Sequence, residues 1–189
     1  YASYLETVQG ERMAAAKYRE GWGKAAKVKG ETVPEVADNI DTPEFRKWFG
    51  DSKVVDESGK PLVVYHGTGK NGANEFSTFN DGNEFQRTQG IYFTKDPNVA
   101  NKYAKQLGKQ TGMVYPVYLS IKNPATRNIL DEIGYGLNGK EMRDELVRRG
   151  YDGLIDDYMG EIVAFSPTQI KSVYNRGTWD PTNPDIRFK

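Results

Sequence analysis

Short apolar runs separated by polar turns occupy the chain from about residue 60 to residue 175, and they predict β-strands. Each run is rich in β-branched or aromatic residues and is bounded by Gly, Pro, Asn or Asp. The runs are PLVVYHG (61–67), GIYFT (90–94), MVYPVYLSI (113–121), DGLID (152–156), EIVAFS (161–166) and QIKSVYN (169–175). Proline cannot donate to a sheet ladder, so Pro116 places the third run at a sheet edge or a bulge.

Three segments have helical patterns instead. Residues 41–50, DTPEFRKWFG, begin with a capping residue and a proline and end at Gly50. The other two, residues 97–108 and 139–150, also end at a glycine, and the second predicts Met142, Leu146 and Val147 on its inward face. Strands and helices do not alternate regularly, so we predict an α+β domain on a mostly antiparallel sheet.

The two ends of the chain differ in texture from this domain. Residues 1–40 are rich in Ala, Lys and Glu with interrupting glycines, and we interpret them as a helical head or a linker. We assign residues 41–189 to the folded domain. Its last stretch, residues 175–189, is rich in Pro, Asn and Asp, and we expect it to lie irregularly over the surface.

Composition narrows the chemistry. Lys and Arg total 26, as do Asp and Glu, so the net charge of zero gives no bulk attraction to nucleic acid. The chain has no cysteine and one histidine, which excludes disulfides, thiolate zinc sites and imidazole-rich metal sites. No apolar run approaches the roughly 18 residues of a membrane span, and we expect no membrane partner and a cytoplasmic site of action.

Three places along the chain carry candidate chemistry. His66 ends the first apolar run beside Gly67, where an imidazole can face a ligand. Tyr92 lies on the GIYFT strand and Tyr103 on the helix that follows, so the pair could sandwich a flat heterocycle. Glu161 opens a strongly apolar strand, where a carboxylate can stabilise a growing positive charge. Taken singly, each residue is more typical of packing, capping or solvent exposure than of a functional site.

Together and in this order, these residues resemble the His-Tyr-Glu class of ADP-ribosyltransferases, the class of diphtheria toxin and the poly(ADP-ribose) polymerases. The likeness is closest at GIYF (90–93) followed by ANKY (100–103). The wider frame, from residue 41 to residue 189, resembles the ADP-ribosyltransferase-like domains of phage polyvalent proteins, prophage genes and some bacterial effectors. The resemblance implies a split, mostly antiparallel β-sandwich with peripheral helices around a cleft that holds NAD.

The resemblance also implies the catalytic residues, His66, Tyr92 and Glu161. His66 would hydrogen-bond the 2′-hydroxyl of the nicotinamide-side ribose. Tyr92 and Tyr103 would pack around the nicotinamide ring. Glu161 would bind the same ribose and stabilise the oxocarbenium-like transition state as nicotinamide leaves.

Three further residues complete the expected NAD site. Gly67 would offer its backbone to the carboxamide of nicotinamide, Thr68 would be a hydroxyl partner, with Thr94 as an alternative, and Phe93 lies beside Tyr92. No metal is required. Phe76, Phe79 and Phe85 lie in an Asn/Gly-rich stretch (71–89) that we interpret as either a closing lid or plain packing.

The chain departs from the pattern of this class at two points. Met159 stands where some arginine-directed enzymes carry Gln or Glu, which weakens an arginine-modifying reading. Ala100 stands where the closest polymerases have a serine that binds the carboxamide. Asp156 and Asp157 lie near Glu161 and are alternatives for its role, although Glu161 directly precedes the apolar strand.

We therefore expect a mono-ADP-ribosyltransferase that uses NAD as its substrate and modifies a macromolecule, protein in preference to nucleic acid. The alternatives are an NAD glycohydrolase, a nucleic-acid-directed transferase and a non-catalytic module that binds NAD or ADP-ribose. A toxin or effector of this class, acting in a host cytoplasm after delivery, would have an immunity or antitoxin protein as a further partner.

Overall fold

A single sheet of seven strands organises the part of the chain described by this computed structural model, which is residues 40–68, 87–105, 113–175 and 178–186. The strands are β1 (Val64–Thr68), β2 (Ile91–Thr94), β3 (Met113–Leu119), β4 (Pro124–Thr126), β5 (Gly153–Asp156), β6 (Glu161–Ala164) and β7 (Ile170–Ser172). The helices are α1 (Pro43–Phe49), α2 (Pro97–Lys105), α3 (Arg127–Ile133) and α4 (Gly139–Arg148), with a 3₁₀ turn at Pro167–Gln169.

The strand order β4-β5-β6-β2-β1-β3-β7 confirms the predicted α+β fold with a mostly antiparallel sheet. The exception is β4, which pairs in parallel with β5 after a crossover through α3 and α4. Neither β4 nor α3 was predicted. Of the predicted head, only Ile40 is among the described residues. Gly108 and the three phenylalanines of the predicted lid lie outside the described residues.

Pro116 was predicted at a sheet edge or a bulge, and the edge alternative is wrong. Strand β3 pairs with β1 on one side and with β7 on the other. The register with β7 begins only at Val117, and the carbonyl of Pro116 accepts the backbone N–H of Val173. The N and the C=O of a strand residue face the same side of the strand, so the nitrogen of Pro116 faces the β7 side and not β1. It lies at the point where the ladder between β3 and β7 ends.

Apolar side chains cover both faces of the sheet. One face carries a large core from β1, β2, β3 and β6, which includes Val64, Phe93, Tyr115 and Ile162. The opposite face carries two smaller clusters. One lies beneath α3 and α4 and includes Met142 and Leu146, whereas Val147, which was predicted to point inward, is 52% exposed.

The other small cluster is built by α1. Thr42 caps this helix by accepting the N–H of Phe45, and Pro43 follows at the first helical position. Phe45, Trp48 and Phe49 pack with Tyr118 and, from the end of the chain, Trp179.

The described residues of the last stretch, 175 and 178–186, form no helix or strand, as predicted, but several of them are buried rather than on the surface. Trp179 and Ile186 are buried in two different clusters. The buried ammonium of Lys171 donates to the carbonyls of Asn183 and Asp185, which fixes this segment beside β7. Within the described ranges, no helix is long and apolar enough to cross a membrane.

Candidate active site

A pocket of about 490 Å³ opens where β1 and β2 separate. These two strands share one register pair, Tyr65 opposite Thr94, whereas β2 and β6 share four. Thr94 in turn lies opposite Glu161, so Tyr65, Thr94 and Glu161 form one row across three strands with their side chains on one face. Helix α2 also lines the pocket, with Val99, Ala100 and Tyr103.

His66 bridges the two separating strands. Its Nδ1 lies 2.7 Å from the carbonyl oxygen of Tyr92, and a carbonyl accepts only, so Nδ1 carries the proton. In the neutral ring Nε2 is therefore an acceptor. Burial lowers the pKa of His66, while the bond to the Tyr92 carbonyl opposes that shift. The imidazole is therefore neutral near pH 7, with its proton fixed on Nδ1.

Tyr92 forms a fixed wall of the pocket. Its hydroxyl donates to the carbonyl of Thr88 at 2.6 Å, and its ring packs against the cluster beneath α3 and α4. Burial raises the pKa of Tyr92, and the nearby Glu161 raises it further. The hydroxyl therefore stays protonated, and the side chain contributes its ring to the pocket rather than a transferable proton.

Glu161 reaches the pocket from the far side of β2. Its side chain is partly buried, and burial raises the pKa of its carboxyl. The neighbouring Asp156 raises that pKa further and Arg127 lowers it. A carboxylate in such a semi-enclosed site interacts more strongly with a developing cation than one in bulk water.

The two nearby aspartates occupy different surroundings. Asp156 is 3% exposed, accepts the backbone N–H groups of Tyr158 and Met159 in the β5–β6 turn, and binds Arg127 at 3.1 Å. Asp157 is exposed and pairs with Lys95 at 3.1 Å. Of these three carboxylates, Glu161 is the one that lines the pocket.

Gly67 determines how closely α2 approaches the sheet. A Cβ at this position would lie 1.7 Å from the carbonyl oxygen of Ala100, so no side chain fits. Ala100 itself is fully buried. The close contact sets α2, with Val99 and the half-exposed Tyr103, directly against the pocket.

Six of the predicted site residues line this pocket: His66, Gly67, Tyr92, Phe93, Tyr103 and Glu161. Thr68, which ends β1 opposite Met113, does not, whereas its alternative Thr94 does. The catalytic and binding roles of all seven stay predictions. Sequence reasoning missed Tyr65, Lys95 and Asp96 as lining residues. Tyr65 could have been found only from the strand pairing, whereas Lys95 and Asp96 directly follow the predicted GIYFT strand.

In the described ranges, no group of three His, Asp or Glu side chains is placed to hold a metal ion.

Comparison with known families gives one match. A family model described as ADP-ribosyltransferase in polyvalent proteins (ART-PolyVal) matches residues 56–179, which is more than half of the chain. No curated protein and no solved structure matches it.

Proposed function

The chain belongs to the family of ADP-ribosyltransferase domains in polyvalent proteins, and from this premise we propose that it transfers ADP-ribose from NAD to a macromolecule, with release of nicotinamide. Protein is the proposed acceptor class. The observation that carries the proposal is the convergence of His66, Tyr92 and Glu161, from three adjacent strands, on one pocket.

The dimensions and chemistry of the pocket support NAD as the donor. A pocket of about 490 Å³ lies in the usual range for small-molecule sites and can enclose the nicotinamide ribose end of the dinucleotide. The Tyr92 ring and the half-exposed Tyr103 offer apolar surface to a flat ring. His66 lines the same pocket, where the family resemblance implies an imidazole that binds a ribose hydroxyl.

The reaction breaks the bond between C1′ of the ribose and the nicotinamide nitrogen. The bonding electrons leave with nicotinamide, so positive charge develops on the ribose ring. A fixed carboxylate at Glu161 stabilises that charge, and it does so more in the transition state than in bound NAD. The acceptor then bonds to C1′ and loses its proton.

The rim of the pocket supports a large acceptor rather than water alone. Met159 and Tyr103 line the pocket and are each more than half exposed, and Tyr158, the residue before Met159, is 83% exposed. Accessible apolar and aromatic side chains of this kind are typical of protein-binding surfaces. A fully enclosed pocket would instead favour hydrolysis.

Label transfer tests the proposal. NAD labelled on its adenylate is incubated with bacterial lysate and either the wild-type protein or Glu161→Gln. We expect label in a macromolecular fraction with the wild type only, and protease rather than nuclease should remove it. Nicotinamide release with equal yield in buffer and lysate, without label transfer, would instead identify a glycohydrolase. NAD binding without any turnover would leave a binding module.

A further inference from the structure

We propose that Asp156 and Arg127 are positioning residues for Glu161: together they fix its carboxylate in the pocket and set the charge around it. This inference rests on the proposed function, because it concerns the carboxylate that the proposed reaction uses. Neither residue lines the pocket, so both would act through Glu161.

The register of β5 and β6 places Asp156 directly opposite Glu161. Side chains of directly opposite residues point to the same face, with Cβ atoms typically about 5 Å apart. Asp156 is almost fully buried there, so solvent screens its charge from Glu161 only weakly. A buried carboxylate in this position disfavours ionisation of Glu161.

Asp156 also builds the turn that delivers Glu161. One of its oxygens accepts the N–H groups of Tyr158 and Met159, both at 3.1 Å. Gly160, the last residue of the turn, has φ +68°, which favours glycine. The carboxylate of Asp156 thus fixes the path of residues 157–160, and with it the point at which Glu161 enters β6.

Arg127 supplies the compensating charge. It begins α3, and its Nη1 lies 3.1 Å from the second carboxyl oxygen of Asp156. The same guanidinium lies 5.3 Å from the ring centre of Tyr158 and 3.6 Å from Asp131, which hold it over the turn. A partly exposed arginine therefore neutralises a buried aspartate beside the pocket.

The two charges act on Glu161 in opposite directions. Asp156 raises the pKa of the Glu161 carboxyl, whereas Arg127 lowers it. The other titratable or charged groups that face Glu161 around the pocket lie on β1, on β2, on α2 and in the segment between β2 and α2. They are Tyr65, His66, Tyr92, Lys95, Asp96 and Tyr103, with Asp157 joined to Lys95 at the rim.

Two substitutions separate this role from a structural one. Asp156→Asn removes the like charge and keeps a carbonyl acceptor for the turn, so Glu161 should ionise at lower pH. Arg127→Gln removes the opposite charge, so Glu161 should ionise at higher pH. We expect shifts of about one pH unit, in opposite directions, in the acidic limb of nicotinamide release. A purely structural role would lower the rate without moving the limb in opposite directions.

A second readout does not depend on activity. The ¹³C shift of the Glu161 carboxyl, assigned by comparison with Glu161→Gln, is titrated in the same variants. If the wild type releases no nicotinamide while the ¹³C titrations shift as expected, the proposed function fails and the coupling stands. If release occurs and neither titration shifts, the coupling is overturned and the proposed function stands.

Controls keep the test decisive if a single substitution impairs folding. Arg127→Gln leaves the buried carboxylate of Asp156 without its charge partner. The double variant Arg127→Gln/Asp156→Asn removes both charges, and its Glu161 should ionise at or below the pH at which Glu161 ionises in the wild type. Arg143→Gln and Asp144→Asn remove the same two charges from an ion pair on α4 and should shift nothing. The inference would be overturned if Glu161 titrated at the same pH in the double variant, in Asp156→Asn and in Arg127→Gln.

Discussion

At the scale of single residues, the one imidazole of the chain has a defined hydrogen-bonding state. His66 donates from Nδ1 to the Tyr92 carbonyl across the strands that open to form the pocket. The bond ties the imidazole to the adjacent strand, and burial keeps the ring neutral near pH 7. His66 therefore both connects β1 to β2 and lines the pocket.

Acidification should destabilise the protein through His66. Its pKa is lower in the folded protein than in the unfolded chain, so below pH 6.5 the unfolded chain takes up the proton more readily. The contribution of His66 to the free energy of unfolding is fully present above pH 6.5 and is lost as the pH falls towards the pKa of the folded state. The loss reaches about 1.4 kcal/mol for each pH unit by which folding depresses the pKa.

His66→Gln keeps a donor for the carbonyl and removes the titration. We expect its melting temperature to fall less than that of the wild type between pH 7 and pH 5. Glu161 changes the stability with pH in the opposite direction. Because its pKa is raised, the folded state binds a proton more readily than the unfolded chain above pH 4.5, so acidification stabilises the protein through this residue. Parallel pH profiles of the wild type and His66→Gln would contradict the assigned burial of the ring.

The sequence indicated six of the sixteen residues that line the pocket, because spaced motifs identify the strands and the helix that carry them. It indicated Glu161 over Asp157 for the same reason, since a residue that opens an apolar strand is held by the sheet. The role of Asp156 was missed, although DGLID and EIVAFS separated by a four-residue turn place Asp156 opposite Glu161. Tyr65 required knowledge that β1 pairs with β2.

At the scale of elements, one contact sets the distance between α2 and the sheet. Gly67 lies against the backbone of Ala100, so the helix and β1 touch without a side chain between them. The contact is backbone to backbone and cannot be relieved by a rotamer change. The position of α2, and of the pocket residues it carries, follows from this glycine.

Gly67→Ala should push α2 away from β1. We expect a loss of stability of about 1–3 kcal/mol, as for other overpacked sites, and weaker NAD binding because Val99 and Tyr103 move with the helix. Denaturant unfolding and NAD titration measure the two effects. Gly136→Ala is the matched control, since a Cβ there meets nothing within 4 Å. Equal stability of the two variants would contradict the contact.

Elements with complete local signals could be predicted, and those that depend on partners could not. The capping residue and proline of α1 specify its start before any packing is known. Strand β4 has three residues and forms through parallel pairing with β5, which no local pattern reveals. Pro116 was assigned to an edge or a bulge because the sequence shows that its N–H is missing but not on which side of the strand the nitrogen lies.

At the scale of the whole molecule, the last described segment completes the core. Ile186 is fully buried in the large core, and its carbonyl accepts bonds from Ser172 N–H and the Asn175 side chain. Lys171 holds the same segment through two carbonyls. Polar composition predicted a surface segment, but a few large apolar residues at wide spacing decide where such a segment lies.

Ile186→Ala should therefore destabilise the domain by about 2–5 kcal/mol, the usual cost of emptying a buried isoleucine site. Val147→Ala removes a branched aliphatic side chain at an exposed position and should change stability by less than about 0.5 kcal/mol. Urea unfolding of the two variants beside the wild type gives both values. Similar small losses for both would contradict the burial of Ile186.

The central claim is that Glu161 drives cleavage of NAD, and nicotinamide release tests it most directly. Release is compared among the wild type, Glu161→Gln and the control Glu132→Gln, which changes an exposed carboxylate on α3. We predict a fall of about 100-fold or more for Glu161→Gln, with its melting transition retained, and wild-type release for Glu132→Gln. Wild-type release from a folded Glu161→Gln protein would contradict the claim.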